Sequence, residues 1–229
     1  MNLIDDFISL FFPKTCPACG NNLFSNEKVI CTKCLYHLPS TNFHSDMDNP
    51  VSKVFWGRVN LHSAAAMYFY KKGGKVQHLI HQFKYKGHRE IGLFLGERYG
   101  FELAQSENFK GVDLIIPVPL HWKKLQKRGF NQSEIFADGL SKSMHKEVDI
   151  TSVVRTVATG TQTKKSRYKR WENVSEIFQL KNPEKLAGKH ILVADDVITT
   201  GATMEACIQT IQKAAGTRVS VVSIGFAAH

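Results

Sequence analysis

Residues 191–203 read ILVADDVITTGAT, and this stretch predicts a strand, a tight turn and the start of a helix. The four apolar residues 191–194 form a short continuous run, which is typical of a strand buried on both faces. Two carboxylates follow at once, Asp195 and Asp196, and residues 199–203 are all small. A helical pattern of apolar residues begins directly after them. The stretch therefore predicts a buried strand that ends in acidic side chains and a polar turn.

The chemistry of the turn favours a phosphorylated sugar as the ligand. The first amides of a helix are free to bind an anion, and the helix dipole favours negative charge there. Gly201 lets the backbone approach a phosphate closely, and the threonine hydroxyls of the turn can donate to it. Asp195 and Asp196 suit the vicinal hydroxyls of a ribose, which donate to carboxylates. The alternative is a buried strand that ends in two aspartates at a solvated turn.

Length and composition favour one α/β domain with a small appendage. The chain has 229 residues, of which 43% are hydrophobic and 22% charged, as is ordinary for a globular protein. No apolar run approaches the roughly 20 residues of a membrane helix, so we expect no membrane span. Asp5 and Asp6 stand where a signal peptide carries basic residues. We expect a short amphipathic helix that Pro13 ends, and a cytoplasmic protein.

The formal charge of +10 bears on partners rather than on the fold. Much of it lies in two clusters, one within residues 123–128 and the other within residues 164–170. Either cluster could bind pyrophosphate, nucleic acid or only water. A run of charge alone is more often a solvated face than a site.

Four cysteines are spaced as in a metal site. Cys16 and Cys19 form one C-x-x-C pair, and Cys31 and Cys34 form another after eleven intervening residues. Two such pairs suit a tetrahedral zinc ion, and four protein ligands make the site structural rather than catalytic. Disulfides, which a cytosolic chain disfavours, and an iron–sulfur cluster are the alternatives. The fifth cysteine, Cys207, is expected to be a small core residue.

The order of predicted elements divides the chain into three parts. We expect an N-terminal helix and zinc ribbon in residues 1–38, a linker in 39–60 and a larger domain in 61–229. The predicted strands alternate with helices, which favours a parallel sheet that binds ligands at the carboxyl ends of its strands. Polar loops are expected at 121–130 and 156–166, the second of them mobile. The expected strands are 61–70, 112–116, 150–154, 178–180, 191–194 and 219–226, and the main helices are 74–83, 89–105, a helix that Asn131 begins, and one after residue 203.

The central stretch resembles the 13-residue phosphoribosyl-pyrophosphate (PRPP) motif of type I phosphoribosyltransferases, and each of its positions matches. Two further stretches extend the likeness, IPVPLHWKKLQKRGFNQSE at 116–134 and QTKKSRYKRWENV at 162–174. With the four-cysteine ribbon, the chain resembles the ComF family, an amidophosphoribosyltransferase-like family that includes ComFC and GntX.

This resemblance implies a type I phosphoribosyltransferase-like parallel sheet flanked by helices, and PRPP or another phosphoribosyl ligand bound with Mg²⁺. The acidic pair would hold the ribose hydroxyls, the turn would cradle the 5-phosphate, and the basic loop after Pro117 would face the pyrophosphate unless it is only a solvated surface. Two cations of the second basic cluster would close over the leaving group. The implied PRPP-binding residues are Asp195, Asp196, Thr199, Thr200, Gly201, Ala202, Thr203, Lys123, Lys124 and Arg128, and the implied catalytic residues are Asp195, Asp196, Arg167 and Lys164.

The family is linked to natural transformation, and the resemblance implies a role in DNA uptake and in handling imported single-stranded DNA in the cytoplasm, alongside other DNA-uptake proteins. One hypothesis is a magnesium-dependent phosphoribosyltransferase of unknown acceptor, although His121 and Glu134 are the only candidate general bases. The second is a nucleic-acid-binding module with a regulatory or non-catalytic phosphoribosyl site. A third treats residues 1–38 as a docking platform for another protein. The aromatic residues that favour nucleic acid are Trp122, Phe130, Tyr168 and Trp171.

Overall fold

A parallel sheet organises the structure, a computed structural model that describes residues 13–156 and 177–227. Within these residues five strands form the main sheet in the order β1-β7-β6-β2-β3, and β4 and β5 pair antiparallel in a separate ribbon. The strands are β1 (Ser63–Phe69), β2 (Leu114–Pro117), β3 (Glu147–Val148), β4 (Val153–Arg155), β5 (Phe178–Leu180), β6 (His190–Ile198) and β7 (Arg218–Phe226).

Helices cover both faces of this sheet and divide the core into two layers. The expected parallel sheet with flanking helices is thus confirmed. None of the helices in the described ranges is long and apolar enough to cross a membrane. The helices are α1 (Thr32–His37), α2 (Pro50–Phe55), α3 (Lys75–Tyr85), α4 (Arg89–Gln105), α5 (Trp122–Arg128), α6 (Gln132–Met144), α7 (Pro183–Leu186) and α8 (Ala202–Ile211).

The helices α4 and α6 approach each other closely on one face. A Cβ atom on Gly96 would lie 2.4 Å from the carbonyl oxygen of Phe136, and one on Gly139 would lie 2.4 Å from that of Leu93. Only residues without a side chain fit such a crossing. The contact fixes α6 against the sheet, and α6 carries a side chain that reaches the acidic pair.

The central strand β6 is longer than the sequence predicts. The apolar run ends at Ala194, but the strand continues through both aspartates to Ile198, because β7 pairs with it along this length. Asp195 lies opposite Ser223 and Ile198 opposite Phe226. The two carboxylates therefore lie on a rigid strand rather than on the turn.

Residues 39–60 contain more regular structure than was expected of a linker. A 3-10 turn (Phe43–Ser45) and α2 lie within the segment, and Val51 and Phe55 are buried. Asn49 begins α2 in a capping box, since its side chain accepts from the Val51 and Ser52 amides. Asn49 and Pro50 thus mark the start of a helix, a signal that a search for apolar periodicity does not find. The division into ribbon, linker and domain itself stays a prediction.

Two other expectations from the sequence are wrong in detail. The region expected as a polar loop at 121–130 contains the helix α5, which His121 caps at its start and Gly129, with φ of 80°, ends. Its lysines, leucine, glutamine and arginine have high helix propensity, although they show no apolar period. The strand expected at 150–154 is β4, which pairs with β5 outside the main sheet.

The segment after the cysteines attaches to the free edge of β1. The Thr41 amide donates to the Met67 carbonyl at 3.1 Å, and the Phe69 amide donates to the Pro39 carbonyl at 2.8 Å. Cys16, Ile30 and Leu38 belong to the same buried cluster as the helices on that face. The cysteine region is therefore packed on the sheet. The expected N-terminal helix and the expected loop beyond Thr156 lie outside the described residues.

Candidate functional site

The turn between β6 and α8 presents free backbone donors at the carboxyl edge of the sheet. Gly201 takes a left-handed conformation with φ of 74° and is the N-cap of α8. The Ala202 amide is 3.5 Å from the Thr200 hydroxyl, and no described group accepts a hydrogen bond from the amides of Gly201, Thr203 or Met204. These groups border a hollow of about 60 Å³ lined by Asp195 and residues 197–204. An anion in this hollow would meet several donors.

Residues of the segment 39–60 hold this turn in place. A Cβ atom on Gly201 would lie 2.7 Å from Cγ1 of Val54 and 3.0 Å from Cε1 of Phe55. The guanidinium of Arg58 donates to the Thr200 carbonyl at 3.0 Å and also pairs with Glu205 on α8. The turn is therefore fixed from outside the motif.

The acidic pair lies at the same edge, and its two carboxylates have different partners. Oδ1 of Asp195 accepts from the Ser133 hydroxyl at 2.7 Å and from the Asp196 amide at 2.8 Å. Oδ2 of Asp196 lies 2.8 Å from the Lys84 ammonium. Burial, and next the charge of Asp196, raise the pKa of Asp195 well above its usual range, while the Ser133 bond opposes the shift. A ligand that donates hydrogen bonds would be favoured here.

A basic groove adjoins the acidic pair. It has a volume of about 460 Å³ and is lined by Lys84, Tyr85 and Gly87 from one side and by three cations of α5 from the other. Those cations are Lys124, Lys127 and Arg128. The fold thus brings two of the three basic residues expected on the 121–130 loop to the edge where Asp196 lies.

Lys123 is placed differently from its neighbours. Its ammonium lies 5.4 Å from the ring centre of Trp122, and it does not line the groove. Five residues later, the Arg128 guanidinium lies 5.3 Å from the ring centre of Tyr85. The groove-lining cations Lys124, Lys127 and Arg128 are spaced i, i+3 and i+4, whereas Lys123 and Lys124 are adjacent positions that do not share a face.

A second cavity, of about 430 Å³, lies on the other side of Lys84. The loop before α3 and the exposed face of α3 line it, including Tyr70, Gln77, His78 and His81. The two cavities have only Lys84 and Tyr85 in common.

The candidate bases have structural tasks. Nδ1 of His121 accepts from the Lys123 amide at 3.2 Å, and burial, followed by the charge of Arg155, lowers the pKa of His121. Glu134 accepts from the side chain of Asn131, the N-cap of α6, at 3.1 Å. The pKa of Arg155 is lowered by burial, and the charge of nearby Asp195 opposes that shift. The predicted residues Lys164, Arg167, Tyr168 and Trp171 lie outside the described residues.

The four cysteines form a cluster with the dimensions of a zinc site. Their sulfur atoms all lie within 4.8 Å of one another, and Cys19 and Cys31 Sγ are 3.8 Å apart. Tetrahedral geometry with Zn–S bonds of about 2.3 Å places sulfurs about 3.8 Å apart. Burial raises the pKa of the Cys34 thiol, so a cation is needed to hold its thiolate. In the described part of the chain the cysteines form no disulfide, and this cluster fits one zinc ion.

Comparisons with known proteins agree with this arrangement. A family model described as a phosphoribosyl transferase domain matches residues 131–227, which include β6, the turn and α8. The DNA utilization protein YhgH of Shigella flexneri is 32% identical over 199 residues, which cover 85% of this chain and 83% of that protein. The chain belongs to the ComF family. The competence protein ComFC of Bacillus subtilis is 29% identical over 137 residues, or 59% of this chain and 52% of that one.

Solved structures show more distant similarity to this ComF family protein. A glutamine PRPP amidotransferase from Bacillus subtilis, complexed with ADP and GMP, aligns with a TM-score of 0.44 and 17% identity. The alignment covers 62% of this chain and 30% of the amidotransferase.

Three residues of this ComF family protein contact the site although the sequence analysis did not identify them as site residues. Ser133 reaches Asp195, Lys84 reaches Asp196 and Arg58 reaches the turn. Ser133 could have been found, because it follows the predicted cap Asn131 at the edge where β2 ends. Nothing in the local sequence distinguishes Lys84 or Arg58 from surface cations, since long-range packing alone brings them to the site.

Proposed function

We propose that this ComF family protein binds PRPP together with Mg²⁺ at the carboxyl edge of β6. Asp195 and Asp196 would accept from the ribose hydroxyls, and the backbone and hydroxyls of residues 199–203 would hold the 5-phosphate. Lys124 and Arg128 would face the pyrophosphate. The observation that carries the proposal is the meeting, at one strand end, of an acidic pair, a turn with free amides and a basic groove.

The chemistry that suits such a site is transfer of the phosphoribosyl group. A nucleophilic atom of the acceptor bonds to C1 of the ribose, the C1–O bond breaks, and pyrophosphate leaves with the electron pair; the acceptor's proton goes to solvent. Residues of the site orient the sugar and stabilise the charge that grows on the leaving group. Mg²⁺, which favours oxygen ligands and substrate phosphates, neutralises part of that charge when bound. Lys164 and Arg167 stay candidates for closing over the pyrophosphate.

We also propose that the cysteine cluster binds a structural zinc ion and that the protein acts in the cytoplasm, where thiols stay reduced. The names of the relatives, DNA utilization protein and competence protein, support a role in DNA uptake and in handling imported single-stranded DNA, together with other DNA-uptake proteins.

Calorimetric titration of the zinc-loaded protein with PRPP and Mg²⁺ tests the binding half of the proposal. We expect saturable heat that fits one site per chain. The absence of heat at protein concentrations of about 100 μM would contradict PRPP binding. Pyrophosphate release with a panel of nucleobases tests turnover. Binding without release from any acceptor would leave a phosphoribosyl-binding protein rather than a transferase.

A second function, binding of single-stranded nucleic acid, is favoured by exposed aromatic rings on α3 and α5, the two helices that border the basic groove. Tyr85 and Trp122 are 61% and 54% exposed, and each has a cation over its ring. Such rings suit base stacking along a cationic track. Phe130, expected from the sequence to take part, is buried beneath Arg89.

Fluorescence anisotropy with a labelled oligonucleotide tests this second function. Binding should weaken steeply with salt, and W122A should weaken it about fivefold or more. The matched control is F101A, which removes an exposed aromatic ring of α4. Equal effects of the two substitutions, or no binding at low salt, would contradict this function.

A further inference from the structure

Lys84 forms an ion pair whose burial is unusual for a lysine near the surface. It lies in the last turn of α3, and its ammonium is 2.8 Å from Asp196. The two side chains are 22% and 12% exposed, whereas those of Lys142 and Glu97, paired at 2.8 Å, are 56% and 42% exposed. A desolvated ion pair recovers little net stability. Stability alone therefore does not account for the pair.

The position of Lys84 joins the acidic pair to the basic groove. Its side chain contacts Asp196 and also lines the groove with the cations of α5. No carboxylate lines that groove among the described residues. The positive charges of Lys84, Lys124, Lys127 and Arg128 thus surround the groove, and of these only the charge of Lys84 is paired with Asp196.

The two aspartates differ in how firmly their partners hold them. Asp195 accepts hydrogen bonds from a hydroxyl and a backbone amide, and the charge of Arg155 lies near it. For Asp196, Lys84 is the cation in contact within the described residues. A ribose hydroxyl that donates to Asp196 competes with this ammonium, while a pyrophosphate in the groove offers it more negative charge than one carboxylate. Because lysine has a flexible four-carbon stem and a compact charge, it can change partner without movement of its helix.

We propose that Lys84 changes partner when PRPP binds. Its ammonium moves from Asp196 to the pyrophosphate group of PRPP, and the Asp196 carboxylate is then free to accept hydrogen bonds from the ribose hydroxyls. The inference rests on the proposed function. The exchange gives the leaving group a contact with a residue of α3, a helix that lies outside both the central motif and the 121–130 region. The charge of Lys84 would then lie where negative charge grows as the C1–O bond breaks.

Comparison of two ligands tests the exchange, since PRPP carries the pyrophosphate and ribose 5-phosphate does not. Both are titrated with Mg²⁺ into the full-length, zinc-loaded protein and into K84M, which keeps the length of the side chain without its charge. K84M should weaken PRPP binding by about tenfold or more, because a hydrogen bond to a charged group is lost. Its affinity for ribose 5-phosphate should stay within about twofold, and K84R should bind PRPP within about threefold of the wild type.

The control is K142M, which removes a surface cation of α6 and should change neither affinity. Equal weakening of both ligands by K84M would mean that Lys84 only orders Asp196, and it would overturn the exchange, as would unchanged PRPP binding. If K84M melts far below the wild type, K84Q, which still donates to Asp196, gives the same comparison. A wild type that binds PRPP no more tightly than K84M does contradicts the exchange alone. A wild type that does not bind PRPP, whether or not it binds ribose 5-phosphate, contradicts the proposed function as well.

Discussion

Both the backbone conformation of the turn and the packing beneath it require a glycine at position 201. Its φ of 74° is costly for any residue with a side chain, and the space that a Cβ atom would occupy is filled by Val54 and Phe55. These two constraints fix the orientation of the amides that follow. The direction in which the turn presents its donors is therefore set by this one position.

Substitution G201A should destabilise the protein and weaken binding of ribose 5-phosphate. The matched control is G188A, at a glycine with φ of 71° and no atom within 4 Å of the added Cβ. We expect G188A to lower the free energy of unfolding by about 1 kcal/mol through backbone strain, and G201A by about 2–4 kcal/mol through strain and overpacking. Thermal denaturation measures both. Equal losses would show that Val54 and Phe55 do not constrain the turn.

At this scale the sequence predicted the residues of the turn and the acidic pair but not their partners. The order of residues 191–203 is local information, and Asp195, Asp196 and Gly201 are recognised from it. Lys84 and Arg58 come from distant segments, and their roles depend on how α2 and α3 pack. Sequence spacing carries no signal of such contacts.

Among the elements, α2 supports the candidate site although the sequence suggests a linker. Asn49 holds it in place: its side chain is buried, caps the helix and donates to the Ala64 carbonyl of β1 at 2.7 Å. The helix then places Val54 and Phe55 under Gly201. A short element rich in caps is thus a part of the core.

Substitution N49A should lower the free energy of unfolding by about 2–4 kcal/mol, since it removes a cap and leaves a buried carbonyl without its donor. The control N182A affects the N-cap of α7, whose side chain makes no capping bond, and should cost about 0.5 kcal/mol or less. Urea denaturation gives both values. If N49A is as mild as N182A, α2 does not hold the turn.

The cysteine region is the second element whose role follows from its attachment. The cysteine region shares the buried cluster with the main helices, and the segment that follows it extends along β1. Loss of the bound metal should therefore destabilise the whole fold. C34S should lower the bound zinc and reduce the stability by several kcal/mol, on the order of 3 or more. Zinc content after chelation and thermal denaturation measure the two effects.

The matched variant for that experiment is C207A, at a buried cysteine outside the cluster. It should lower the stability through a lost packing contact and leave the zinc content unchanged. A metal-free protein with the same melting temperature as the zinc-loaded wild type would contradict a structural role for the metal.

Over the whole molecule, the alternation of strands and helices predicted the sheet, whereas the separate β4–β5 ribbon could not be foreseen. Apolar runs and helical periods are local signals, and they predicted the main helices and the strands other than the two-residue β3. Which strands pair, and that β6 continues through Asp196, depends on neighbours far along the chain. The fold class predicts a ligand site at the carboxyl ends of the strands, and the candidate site lies at that edge.

Acid should destabilise the molecule through His190. Burial lowers the pKa of His190 to about 4, and its Nε2 lies 2.8 Å from the Ser220 hydroxyl. An unfolded histidine binds its proton near pH 6.5, so between about pH 4 and 6.5 the unfolded state carries more protons. The contribution of His190 to the free energy of unfolding should therefore rise with pH across this window and reach its full value above it. That contribution is lost as the pH falls through the window.

H190Q should flatten this dependence in denaturant melts at pH 4.5 and 6.5, and H88Q, at an exposed histidine, should leave it unchanged. Asp149, whose pKa is lowered to about 2 mainly by hydrogen bonds from Ser152 and Thr151 that outweigh its burial, loses its contribution only at lower pH. An unchanged slope in H190Q would contradict the assignment to His190.

The central claim, that the acidic pair holds the ribose of PRPP, is tested most directly by titration of D195N and D196N with PRPP and Mg²⁺. Each substitution keeps the size of the side chain and removes the charge that accepts from a hydroxyl, so the affinity of the variant, shown by thermal denaturation to be folded, should fall about tenfold or more. The control D138N, at an exposed aspartate of α6, should bind as the wild type does. Wild-type affinity in both D195N and D196N would contradict the claim.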